Sequence, residues 1–278
     1  MTKLRELTQR YVIVFVVVLT VAFHYIMHLV SYVSSLFTSD LLIYDSISIL
    51  LNMIWPVGLA LLLGYGFVFK QKGFGKTLKA GAGFAAVYFL FSIFSVATAL
   101  QKPNAQWQSS SAILVSVVLL IGIGLREELL FRGVIANALA LKYAKSTKGI
   151  WLTVLVSSAA FGSVHLFNYF AGVNFGTACL QSLVGMAAGA MFCAVYLRGG
   201  NVFAIMLIHS LVDFSGLFQS LFLKNNGNEI DQMNQLSWNS MIMIPLFFLL
   251  VAFLLRKSKR PAVLERMETL RETYGIKA

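Results

Sequence analysis

The chain has 278 residues, 58% of them hydrophobic and only 12% charged, with 23 Phe and 4 Pro. A water-soluble domain of this make-up would lack the polar side chains to cover its surface, so lipid is the expected solvent. The formal charge of +11 does not point to a nucleic-acid partner, because the basic residues are split among short loops instead of forming one surface; anionic lipid head groups are their expected neighbours.

In chain order, eight runs are long enough to cross about 30 Å of hydrocarbon. They fall at 11–30, 47–69, 79–100, 110–127, 150–167, 177–197, 200–221 and 239–256. The first follows a basic start, as a secretory signal would, but shows no convincing small-x-small cleavage site after Leu29 and is expected to stay as an anchor. Charge alternates with the runs. Lys3, Arg5 and Arg10 precede the first, Lys70 to Lys79 separate the second from the third, and Lys142, Lys145 and Lys148 separate the fourth from the fifth. Arg198 follows the sixth and Arg256 to Arg260 the eighth, whereas the other loops hold Asp40, Asp45, Glu229 and Asp231 with only Lys102 and Lys224. Basic loops mark the cytoplasmic face, which puts both termini inside. The expectation is an all-α, polytopic membrane helical bundle of about eight transmembrane helices, a single integral domain over 1–278 in the cell membrane. A tail at 261–278 is expected on the cytoplasmic side, either as a short amphipathic surface helix or solvated. Cys179 and Cys193 lie on one predicted helix, about 21 Å apart at helical rise, and cannot bridge within it.

Ionisable groups inside apolar runs are costly and mark candidate functional sites. Arg126-Glu127-Glu128-Leu129-Leu130-Phe131-Arg132 ends the fourth run. A continuing helix puts Glu128 and Arg132 on one face at i, i+4 as a partly buried pair, while Glu127, about 100° away with no basic residue four positions on, is left free as a base. The plain alternative is a charged cytoplasmic helix end. The same i, i+4 spacing joins Phe161 to His165 and His209 to Asp213 on two later helices. His24 and His28 repeat it in the first run without an acidic neighbour and read as packing or an outer-edge polar contact. Gly185 and Gly189 read as sites of close helix contact, and Gly199-Gly200 as a tight turn.

The three motifs in order, EExxxR at Glu127, Glu128 and Arg132, FxxxH at Phe161 and His165, and HxxxD at His209 and Asp213, resemble the CPBP family of membrane proteases, also called the Abi or CAAX protease and bacteriocin-processing family. The resemblance covers about 110–220 and implies a four-helix catalytic core. It implies peptide-bond hydrolysis at an intramembrane site opening toward the cytoplasm, with a hydrophobic or lipid-modified peptide or protein as substrate. It implies that Glu127 and His165 activate water and that His209 and Asp213 stabilise the oxyanion, with Glu128, Arg132 and Phe161 in support. Asp213 departs from the Asn frequent in the family, since an ionised Asp only accepts; it can orient His209 instead, or donate if protonated.

The rival hydrolytic reading is a zinc-dependent protease with Glu127, His165 and His209 as ligands, three protein ligands plus water being an ordinary catalytic set. The chain lacks HExxH, and the metal-free reading, without any cofactor, is favoured. The non-catalytic readings are a transporter, or a bacteriocin-immunity or interaction protein that keeps the constellation for packing. Oligomeric state is not legible. One geometric problem stands: at helical rise His209 lies about 14 Å in from Gly200 and His165 about 22 Å in from Ile150, while Glu127 falls at the membrane edge. Convergence needs tilt, a deeper fourth helix, or a fifth helix that begins in the cytoplasmic region.

Overall fold

The computed structural model describes residues 3–103, 105–224, 229–234 and 238–274; the end of the expected tail, 275–278, lies outside them. A short α1 (Lys3–Arg10) leads into α2 (Val12–Phe37), α3 (Leu41–Leu62) and α4 (Phe74–Leu100). The two-residue strand β1 (Gln106–Trp107) precedes α5 (Ser110–Glu128), a π-helical segment Leu129–Ala136 and α6 (Asn137–Tyr143). Then come α7 (Thr147–Ser163) with its 3-10 extension Val164–Ala171, α8 (Phe175–Gly199) and α9 (Val202–Phe222). Strand β2 (Leu223–Lys224) pairs antiparallel with β1, and α10 (Glu229–Asn234), α11 (Met243–Leu254) and α12 (Arg260–Thr273) complete the chain.

Each of the eight expected runs falls on a helix. Among the described residues six helical stretches are long and apolar enough to cross a membrane, so the count of eight is not established. The other two runs are α5, which ends in Arg126, Glu127 and Glu128, and the short apolar helix Ser240–Leu254. Local signals set the ends. Asp40, Ser109, Ser146 and Asn201 accept from the backbone N–H three residues on, at Ile43, Ala112, Gly149 and Ala204, and so cap α3, α5, α7 and α9. Gly200, at φ 93°, ends α8 in a left-handed turn, as its glycine pair predicted.

The main departure from the sequence reading is that the fourth helix does not stop at Glu127. No proline stands between Glu128 and Tyr143, and the helix continues through Gly133, wound as a π-helix over Leu129–Ala136. Its bonding to i+5 loosens the backbone ladder, and side chains take up part of the slack: Ser157 Oγ donates to Phe131 O at 3.4 Å and Asn137 Nδ2 to Gly133 O at 2.9 Å. Helical winding from Ser110 to Tyr143 spans about 50 Å, with Glu127 near its middle, about 24 Å from the Tyr143 end. The charged group is therefore not a helix end, and Glu127, Glu128 and Arg132 are buried within the bundle.

Around this helix, α5 and α4 pack on α9, α7 packs along α8, and α11 lies on α8. The tail is not solvated over the described residues. It forms α12, whose Val263, Met267 and Arg271 are buried. Arg271 donates to Leu141 O at 2.8 Å and Ala144 O at 2.9 Å, at the end of α6. Arg266 donates to Tyr196 O at 3.3 Å and Gly200 O at 3.4 Å, at the end of α8. Both cations thus sit at the negative ends of helices, which ties this segment to the core.

Candidate active site

Glu128 and Arg132 form the foundation. Both side chains are fully buried, and Arg132 Nη1 stands 2.7 Å from Glu128 Oε1. Arg132 Nη2 also donates to Gly189 O at 3.0 Å, while its guanidinium lies 4.4 Å from the centre of the Phe161 ring and 5.1 Å from that of Phe192. A buried ion pair is tolerable only when further bonds and polarizable faces surround it, and here the motif Phe supplies one such face. The predicted i, i+4 pairing is present, drawn closer by π winding.

His209 rests on this foundation. Its Nδ1 lies 2.6 Å from Glu128 Oε1 and its ring stacks on Phe192 at 4.8 Å and 25°. Its Nε2 faces Glu127 Oε2 at 3.8 Å and Asp213 Oδ1 at 3.5 Å. The ring is therefore oriented by Glu128 through Nδ1, a role the sequence reading offered to Asp213. Asp213 Oδ2 is buried and without a hydrogen-bond partner among the described residues.

Glu127 is not the unpaired base expected from the spacing. The search four positions on missed the adjacent Arg126, whose Nη2 stands 3.0 Å from Glu127 Oε1 and whose guanidinium sits 5.5 Å from the centre of the Phe23 ring of α2. The pair leaves Glu127 Oε2 turned toward His209.

His165 reaches the group because α8 has no side chain where α7 needs room. A Cβ on Gly185 would stand 2.6 Å from His165 Cδ2, and one on Gly189 would stand 2.9 Å from the Phe161 ring. The close contact predicted for these glycines is thus present, and Phe161 meets both imidazoles edge to face, His165 at 5.5 Å and His209 at 5.7 Å.

Of these groups Phe161, Phe192, His165, His209 and Asp213 line a cavity of about 510 Å³, within the range of small-ligand sites. Its wall is mainly apolar, with Asn168 and Gln181 as a polar patch, Asn168 Nδ2 donating to Gln181 Oε1 at 2.8 Å. Sequence reasoning missed Arg126, Phe192, Asn168 and Gln181; only Arg126 carried a signal, its adjacency to the glutamates. His24 and His28 bond to each other at 3.1 Å, with His24 stacked on Phe167, and neither lines the cavity.

Among the described residues no group of three or more His, Cys, Asp or Glu is placed to hold a metal ion. Cys179 and Cys193 are free.

Carboxylates, imidazoles and guanidiniums gathered between apolar helices beside a cavity mark this group as the candidate functional site. Residues 108–215 match the family model described as Type II CAAX prenyl endopeptidase Rce1-like. All three motifs lie within the match, and the resemblance to the CAAX protease family is borne out over that core. No curated protein and no solved structure matches the chain.

Proposed function

We propose that this protein is an intramembrane endopeptidase that hydrolyses a peptide bond of a hydrophobic or lipid-modified peptide or protein with water activated by Glu127 and His165. The observation that carries the reading is the approach of Glu127 and Asp213 within 3.8 Å of His209 Nε2, beside a cavity that His165 also lines. Glu127 takes a proton from a water held by His165, and the oxygen attacks the scissile carbonyl carbon. General-base help of this kind contributes about 10²–10⁴-fold. The carbonyl oxygen becomes an oxyanion, and His209 turns its Nε2–H to it. Such a preorganised donor is worth about 10²–10³-fold. Glu127 then passes its proton to the leaving amine as the C–N bond breaks.

Asp213 accepts but does not donate as a carboxylate, so it acts on His209 Nε2 through Oδ1 and offers its unpartnered Oδ2 to a peptide N–H. Arg126 holds Glu127, and Glu128 with Arg132 holds His209; these are positioning residues. The basic loops are taken to face the cytoplasm, with both termini on that side. Comparison of membrane peptidomes from cells carrying wild-type protein and Glu127→Gln tests the reading. Precursor peptides should accumulate in the variant, and identical peptidomes under conditions where the wild type is required would favour an interaction or immunity protein instead.

A further inference from the structure

The cavity is not symmetric along the bundle. Its deepest walls, Phe161, Phe192 and His209, are buried, and exposure rises toward Asn168 and Gln181, which are partly open, and Gly216, which is exposed. Met233 of α10 completes the lining. Each of these outer positions lies at the same end of the bundle. Asn168 follows α7, Gln181 begins α8, Gly216 is near the end of α9, and α10 belongs to the connection after α9. That end carries Lys102, Lys224 and α10 with Glu229 and Asp231, whereas the basic clusters at 3–10, 70–79, 142–148 and 256–260 occupy the other end. A site opening to the cytoplasm, as the family resemblance implied, would have its mouth among those basic clusters.

We infer that the cavity admits its substrate from the membrane face opposite the basic loops, and that this substrate is an apolar peptide segment presented on the extracytoplasmic side. The inference rests on the proteolytic reading above and on the basic loops facing the cytoplasm. The lining fits that chemistry. Val184, Val212, Leu217 and Met233 offer apolar walls. The carboxamide pair at the mouth leaves Asn168 Oδ1 and Gln181 Nε2 without further bonds among the described residues, one acceptor and one donor for a backbone peptide group. Among the described residues no Lys or Arg is in the lining.

The test combines labelling with sided catalysis in membranes holding the full chain. In a Cys179→Ser background, Gly216→Cys places a thiol where an added Cβ meets nothing within 4 Å, Met233→Cys places one on α10, and Lys145→Cys marks the basic end. A membrane-impermeant maleimide on intact cells should label the first two and spare the third until the membrane is opened. An internally quenched apolar peptide library with a sulfonated, impermeant fluorophore should be cleaved at least tenfold faster by right-side-out vesicles than by inverted ones, and not by vesicles with Glu127→Gln. Cleavage confined to inverted vesicles, or labelling of Gly216→Cys and Met233→Cys only from the cytoplasmic side, overturns the inference while proteolysis stands. Absence of Glu127-dependent cleavage in both orientations overturns proteolysis with it. The Met233→Cys and wild-type vesicle arms keep the test decisive if Gly216→Cys fails to fold.

Discussion

Helices α4 and α8 have similar length, 27 and 25 residues, and both are apolar enough to span a membrane, yet 17% of the most apolar stretch of α4 is buried in protein against 67% of that of α8. The difference lies in which side chains each helix turns to its neighbours. α4 turns Phe89, Leu90 and Phe94 outward, as a lipid-facing helix does. α8 presents Gly185, Ala187, Ala188, Gly189 and Ala190 to its neighbours, all buried. Association of helices in lipid relies on close packing more than on hydrophobicity, since the lipid tails are equally apolar. Charged groups are tolerated beside α8 because protein surrounds them, and the candidate catalytic group sits there.

The sharpest way to break the comparison is to change function while the protein still folds. Glu127→Gln should lower turnover by about 10²–10⁴-fold, with a smaller loss of stability than Glu128→Gln because the Arg126–Glu127 pair is not fully buried, while Phe94→Ala on α4 should leave turnover of the purified protein unchanged. Next in size is the ion pair beneath the site. Glu128→Gln or Arg132→Met alone leaves a buried charge without its partner and should destabilise the protein by about 3–5 kcal/mol, seen as lost folded monomer in detergent. Glu128→Gln combined with Arg132→Met should recover folded yield but not activity, because His209 loses its Nδ1 partner.

A matched pair of glycines tests the packing argument directly. Gly185→Ala drives a Cβ to 2.6 Å from His165, whereas Gly83→Ala on α4 meets nothing within 4 Å. The first should cost about 1–3 kcal/mol in stability and lower turnover by displacing His165; the second should stay within about 0.5 kcal/mol of wild type by thermal unfolding. Asp213→Asn should have a smaller effect on kcat, about tenfold or less, because Glu128 already orients His209. A larger loss would assign that orientation to Asp213. Chelation should have the smallest effect of all: active protein should hold well under one zinc per chain by elemental analysis. Tightly held zinc whose removal and return tracked activity would install the metal mechanism.

Much of this was legible in sequence because it depends on local spacing. The i, i+4 geometry placed Glu128 with Arg132 and His209 with Asp213, and both contacts are present at 2.7 Å and 3.5 Å. Each of the eight apolar runs fell on a helix, though run length did not settle how many of them span the membrane. Local reasoning failed where a group's surroundings come from distant chain. Charge at 126–128 read as the end of a span because a single helix in lipid could not bury it; α7, α8 and α9 supply the burial, and the helix runs on to Tyr143. The orientation of His209 by Glu128 joins residues 81 apart, and the Phe192 stack and the Asn168 to Gln181 pair likewise depend on how helices cross. The sequence by itself determined the membrane class, the helices and the candidate reactive groups, since these follow from hydropathy and residue type along one chain segment. Only the tertiary structure decided which nitrogen of His209 is held, that Glu127 is paired with Arg126, and toward which end of the bundle the cavity widens, since each depends on side chains brought together in space.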